Sequence, residues 1–122
     1  MSNKIYRALA AQGQVRALAI TATEMVEEAR KRHDTWPTTT AALGRCLMAV
    51  AMLGVTLKND ETITLRIQGD GPMGTVIAQS RANGTARGYV QEPHTHLPSK
   101  QPGKLDVGSG VGKGFLHLTR LE

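Results

Sequence analysis

Cysteine is almost missing from this sequence. The single residue, Cys46, excludes an internal disulfide and suits a reducing compartment. Aromatic residues make up 3% of the 122 positions, so any core must be aliphatic, built of Leu, Ile, Val, Met and Ala. Apolar runs are short. The longest uncharged one, Cys46 to Leu57, falls well below the ~20 residues a helix needs to cross a bilayer, so no membrane association is expected. The opening MSNKIYRALAAQGQ lacks the apolar stretch of a secretory signal, and the expected setting is cytosolic. Acidic residues are the minority, 10 against 15 Lys and Arg, for a formal charge of +5. That sign keeps an anionic partner in view. The excess is diffuse, however, with only Arg30, Lys31 and Arg32 contiguous, and a diffuse excess fits a solvated surface better than a nucleic-acid site.

What is present is organised around Thr38 to Leu57, TTTAALGRCLMAVAMLGVTL, which carries one charge, Arg45. Leu43, Leu47, Val50 and Leu57 make one apolar stripe, and Met48, Met52 and Val55 a second. A helix apolar on most sides is buried on most sides. Ala42, Cys46, Val50 and Gly54 add a line of small side chains suited to close approach. One of Thr38, Thr39 and Thr40 is expected as N-cap. Trp36, held extended by Pro37, separates this helix from the one before it. The earlier helix, capped by Thr21 or Thr23 with Glu24 completing a box, has Ala22, Met25, Val26 and Ala29 on one face. Glu27 with Lys31 and Glu28 with Arg32 are expected ion pairs that match the basic cluster within its own helix.

Ahead of the helices, Ile5 to Ala11 and Gln14 to Thr21 read as a hairpin turning at Gln12-Gly13. Beyond them, Thr62 to Gln68 alternates cleanly, and Thr75 to Ser80 and Thr85 to Val90 follow through turns at Gly69–Gly74 and Asn83-Gly84. Such a meander is antiparallel and leaves one face spare. From Gln91 to Gly114 proline and glycine dominate, so a long surface excursion, partly mobile, is expected there before Phe115 to Leu121 returns as a strand. The fold class predicted is α+β: a mostly antiparallel sheet built from hairpins, packed against a central apolar helix and a second amphipathic one. Neither an internal repeat nor a second domain is evident.

Several motifs suggest chemistry and fail on context. Gly69-Asp70-Gly71-Pro72-Met73-Gly74 matches the dinucleotide fingerprint, but a strand follows it where a helix N-terminus must meet the pyrophosphate. Gly108 to Gly114 lacks the first glycine and the Ser or Thr of a phosphate loop, at Val107 and Gly114. His94, His96, His117 and Asp106 show no zinc spacing. Cys46 has no base beside it and is expected to be a buried, inert thiol. His33-Asp34 has no framed serine in Ser80 or Ser109. The aromatics Tyr6, Trp36, Tyr89 and Phe115 lie one to a segment, with no two on one strand beside basic neighbours, so nucleic acid is not the expected partner. No catalytic residues, cofactor or metal site are predicted, and the chain is not expected to be an enzyme.

The run Arg32-His33-Asp34-Thr35-Trp36-Pro37-Thr38, followed by Ala41-Ala42-Leu43-Gly44-Arg45, resembles the hallmark segment of the redox-regulated bacterial heat-shock chaperones, the 33 kDa chaperonin family. Arg7 to Ala17, Gly69 to Gly74, Gly84 to Val90 and Gly103 to Gly114 resemble that family's other segments in the same order, so the likeness spans essentially the whole chain. It implies a holdase: an ATP-independent chaperone that binds unfolded or aggregation-prone clients through apolar surface during oxidative stress, with a tendency to dimerise. It also implies that residues 1–122 form one N-terminal core domain. The family's helical linker and its C-terminal module of four zinc-binding cysteines have no counterpart here, and Cys46 matches none of those ligands. Zinc and the redox switch are therefore not expected of this chain. The resemblance assigns no client-binding residue. A dimerisation or scaffold domain without clients of its own is the alternative, and a nucleotide-binding enzyme a more remote one.

Overall fold

The computed structural model describes residues 3–99 and 101–121. β1 (Lys4–Ala10) and β2 (Val15–Thr21) pair antiparallel, with Lys4 opposite Thr21. Next come α1 (Thr23–His33) and α2 (Pro37–Gly54), then β3 (Thr62–Gly69), β4 (Val76–Arg81) and β5 (Ala86–Val90). A short α3 (Val107–Val111) precedes β6 (Gly114–Leu121). The second sheet has the order β5-β4-β3-β6, antiparallel throughout. The α+β reading holds, with hairpins and two principal helices. The division is new: β1–β2 stands as its own two-stranded sheet, and the returning strand joins β3 to make the other four-stranded.

Local chemistry explains where the expected boundaries moved. The first hairpin turns through three left-handed residues rather than two, Ala11, Gln12 and Gly13 at φ 51°, 59° and 85°; only the glycine takes this region without a Cβ penalty. Neither Thr21 nor Thr23 caps α1. Ala22 occupies the N-cap, and the Met25 N–H donates to Asn3 Oδ1 at 3.2 Å, so the cap comes from ahead of β1. Within α1, Glu28 pairs with Arg32 at 2.7 Å as expected, whereas Glu27 takes Arg30 at i,i+3 in place of Lys31.

α2 starts at Pro37, a residue suited to the first helical position. Its N-cap is Trp36, extended at φ −80°, ψ 169°, and no threonine caps it. Thr39 instead donates through Oγ1 to the Trp36 and Pro93 carbonyls, at 3.0 and 2.5 Å. The helix ends at Gly54 and not at Leu57. Thr56 N–H to Leu53 O and Leu57 N–H to Gly54 O then tighten the chain into a last i+3 turn.

The core lies between α2 and the sheet. Leu43, Leu47 and Val50 are fully buried against Val76, Ala78 and Val90, with Ile63 and Leu65 beside them. Fully burying a side chain of this size is worth about 1.5–3 kcal/mol. The small-residue line packs as expected: Ala42, Cys46, Val50 and Gly54 are all buried, and Ser80 Oγ of β4 donates to the Val50 carbonyl at 2.6 Å. The second stripe does not. Met48, Met52 and Val55 remain half-buried on the side of α2 turned away from the sheet.

Candidate interaction surfaces

The two glycine-rich stretches meet each other. Gly71 N–H donates to Val111 O and Met73 N–H to Gly110 O, each at 3.0 Å. Asp70 and Lys113 bond reciprocally: Asp70 N–H to Lys113 O at 2.9 Å, and Lys113 N–H to Asp70 Oδ1 at 2.8 Å. A Cβ on Gly71 would run into the Gly110 carbonyl, so backbone contact sets the need for glycine. The amides that a phosphate would need are thus already paired within the chain. The resemblance to a nucleotide fingerprint is a packing motif. The expected surface excursion holds for the described residues up to Asp106 and is corrected at its end: residues 107–111 form a helix, capped by Asp106 accepting from Ser109 N–H at 3.2 Å, and Gly110 is buried.

The remaining candidates are scattered. His94 Nε2 lies 2.9 Å from Asp34 Oδ2, and its ring stacks on Trp36 with centroids 5.0 Å apart, which clamps the proline-rich segment to the start of α2. His117 sits on β6, and Asp106 is at the start of α3. Among the described residues, no three of His, Cys, Asp and Glu converge on a point that could hold a metal. Ser80 is buried and bonded to Val50 O, while Ser109 lies in α3, so neither completes a triad with His33 and Asp34. Cys46 is buried in α2, and that burial raises its thiol pKa above the ordinary value. No helix of the described residues is long and apolar enough to cross a membrane.

What does assemble is a surface. α2 packs on β4, β5 and β3, and the sheet runs past it to β6, where every residue from Gly114 to Leu121 is exposed. Leu116 opposite Ile67 and Leu118 opposite Leu65 continue the core face of the sheet beyond the helix. Leu65 is 7% exposed and its neighbour Leu118 52%, so the core is cut open at this end. Arg120 closes the row. Its guanidinium donates to both oxygens of Glu61, at 2.7 and 3.0 Å. That bond, followed by the Lys58 N–H, holds the Glu61 carboxyl below its ordinary pKa. The free edge of β6 adds unpaired main-chain groups beside Leu116 and Leu118. Elsewhere Tyr6, Leu9 and Val15 project from the β1–β2 hairpin.

The spare face of the sheet is therefore the more polar of the two. Its outward positions are largely Thr, Arg and Gln; the uncovered Leu116 and Leu118 lie on the core side, while Phe115 and Leu121, the latter opposite Thr62, lie on the outer one. Alternation in the sequence places Leu116 and Leu118 together on one face. It carries no information on how far α2 reaches across that face.

The model of the Hsp33 protein family matches residues 3–122. The chain belongs to the Hsp33 family. It is 50% identical over 120 residues to the 33 kDa chaperonin of Desulforamulus reducens, which covers 98% of this chain and 41% of that protein. Against the 33 kDa chaperonin of Halalkalibacterium halodurans it is 51% identical over 121 residues, 98% of this chain and 42% of the relative. The crystal structure of the 33 kDa chaperonin (heat shock protein 33 homolog) from Thermotoga maritima superposes with a TM-score of 0.92 at 39% identity, over 97% of this chain and 41% of that one. The chain thus spans about two fifths of the length of these Hsp33 proteins. The resemblance read from Arg32–Thr38 and the segments around it identified the family, whose relatives here are named chaperonins. The zinc that the family resemblance implies does not fit the described residues: one cysteine, buried in a helix, and no converging ligands.

Proposed function

We propose that this chain is the core of a cytoplasmic, ATP-independent holdase, which delays aggregation of unfolding proteins by covering their apolar segments. The observation that carries the reading is the open end of the core face, Leu116 and Leu118 beside the free edge of β6. Holding requires no bond chemistry. Apolar client surface moved from water onto apolar surface here is favourable by roughly 25 cal/mol per Å². A free strand edge adds main-chain hydrogen bonds that are indifferent to client sequence. The pairing of the glycine loops with each other leaves no phosphate cradle in them, which favours independence from ATP. The burial of Cys46 favours activity that does not wait for an oxidant.

The test is light scattering from a heat-unfolded client protein mixed with the folded chain. Scattering should fall to the same extent with or without peroxide and with or without ATP. The double substitution Leu116→Ser/Leu118→Ser should remove most of the protection while circular dichroism stays unchanged. Protection seen only after peroxide would refute the constitutive part of the reading. A folded chain that gives no protection but sediments as a dimer would favour the second reading, a scaffold domain, for which the free β6 edge is the natural self-pairing element.

A further inference from the structure

The outward face of the four-stranded sheet has a chemistry of its own. Register across the strands places Tyr89, Ile77, Arg66 and His117 in one row, one residue from each of β5, β4, β3 and β6. The neighbouring row is Arg87, Gln79, Thr64 and Thr119. Arg81 and Phe115 hold outward positions at opposite ends of the same face. No Asp or Glu occupies an outward position on any of the four strands. Among the described residues, none of Arg66, Arg81 and Arg87 has a carboxylate partner. The face therefore gathers unneutralised cations from three strands that are diffuse in the sequence.

Two further features make it more than a basic patch. Arg87 donates through Nε and Nη2 to Gln79 Oε1 at 3.3 and 3.1 Å, and Gln79 Nε2 donates to Thr64 Oγ1 at 3.0 Å. This relay across three strands pre-orients the guanidinium and leaves its other N–H groups towards solvent. The face also carries rings. Tyr89 is 44% exposed and Phe115 75%, and Phe115 leans on His117 with centroids 6.4 Å apart. At the β5 end, the last turn of α1 brings Arg32 and His33 beside Arg87 and Tyr89 around a cavity of about 490 Å³. Cations along a track with an exposed ring at either edge are what a flexible strand of phosphates and bases can use. A duplex has its bases already stacked, and a lipid surface offers nothing for the rings to stack on. From the sequence alone the aromatics fell on separate segments; the sheet sets Tyr89 and Phe115 on one surface with the arginines.

We propose that this sheet face binds single-stranded nucleic acid. Phosphates lie along Arg81, Arg87 and Arg66, and bases stack on Tyr89 and on the Phe115–His117 pair. The site is separate from Leu116 and Leu118, which point to the other side of the sheet, and it does not depend on the holdase reading.

Fluorescence anisotropy on the full chain tests it, with labelled 12-nucleotide oligouridylate and oligothymidylate, an abasic strand of the same length, and a 12-base-pair duplex. Both base-carrying strands should bind at least tenfold more tightly than the abasic strand and the duplex, with affinity falling as salt rises. Arg66→Glu/Arg87→Glu should weaken binding of every strand at least tenfold. Tyr89→Ala/Phe115→Ala should weaken only the base-carrying strands, by about tenfold. These positions are solvent-facing, so melting curves should match the unaltered chain. Ultraviolet cross-linking of the unaltered chain gives a readout free of any folding defect, and adducts should fall on β5 or β6. Absence of saturable binding, equal affinity for the abasic strand or the duplex, or adducts confined to other elements would overturn the proposal.

Discussion

Gly54 is the position where helix propensity and packing disagree most sharply. In the last turn of α2 an alanine is favoured over glycine by about 0.8–1.0 kcal/mol. A Cβ there would meet Ser80 Oγ at 2.8 Å, closer than real Cβ contacts come, with the Arg81 carbonyl at 3.5 Å. Ser80 has little freedom to yield, being 2% exposed and donating to the Val50 carbonyl at 2.6 Å. Displacing its hydroxyl would leave a buried donor unpaired, at about 1–3 kcal/mol; pushing β4 away instead would cost about 1–3 kcal/mol of packing. Either route exceeds the propensity gain. Gly54→Ala should therefore destabilise the chain by about 1 kcal/mol, which for a domain of this size lowers the melting temperature by roughly 5 °C. Gly54→Leu should cost more. The cycle with Ser80→Ala isolates the cause: removing Oγ relieves the clash, so the double variant should be more stable than the sum of the singles by about 1 kcal/mol. Thermal melts by circular dichroism read all four proteins. A Gly54→Ala variant that melted higher than the unaltered chain would show that this face of α2 has slack, and would refute the packing account.

Glu61 gives a pH signature. Its folded pKa lies below its unfolded one, so its contribution is present above the ordinary carboxylate range and is lost as pH falls through the folded value. Glu61→Gln should melt lower than the unaltered chain near pH 7, and the two should converge as pH falls through the lowered folded value; a gap that widened towards acid would contradict the Arg120 pairing. Cys46, buried with its pKa raised, should react with a thiol reagent at least a hundredfold more slowly in native than in denatured protein, read by absorbance, and equal rates would place it at the surface.

Much of the fold was legible because its signals are local. The apolar run of α2, the period-two alternation of β3 and the turn residues of the meander each act within a few positions. The parts that were not legible depend on distant partners. Asn3 caps α1 from 22 residues away, so a search for a local capping box settled on Thr21 and Thr23. Proline at the first helical position set Trp36 at the N-cap and the threonines inside the first turn, where Thr39 holds the Pro93 carbonyl. The glycine loops looked like two failed phosphate sites because the requirement for glycine is real. What approaches their backbone is the other loop and not a ligand. The half-exposure of Met48 and Met52 follows from their place on the side of α2 turned away from the sheet, where how much packs over them is a tertiary quantity with no sequence period.

β6 carries the consequence of the limited reach of α2 across the sheet. Because side chains alternate across a strand, an edge strand left uncovered presents two surfaces of independent composition. On the core side, Leu116 and Leu118 prolong an apolar surface whose other end is sealed by α2. On the outer side, Phe115 and His117 belong to a face whose charge is set by Arg66, Arg81 and Arg87. Apolar client segments are drawn to the first by burial and gain less from the second, where covering Phe115, Leu121 or Tyr89 would also desolvate guanidinium groups without pairing them. Polyanions have the opposite preference. The paired variants at 116 and 118 and at 66 and 87 therefore report on different surfaces, although Arg66 on β3 adjoins β6. Losing both activities together on either pair would mean that the four-stranded sheet itself had been disrupted, which circular dichroism would register.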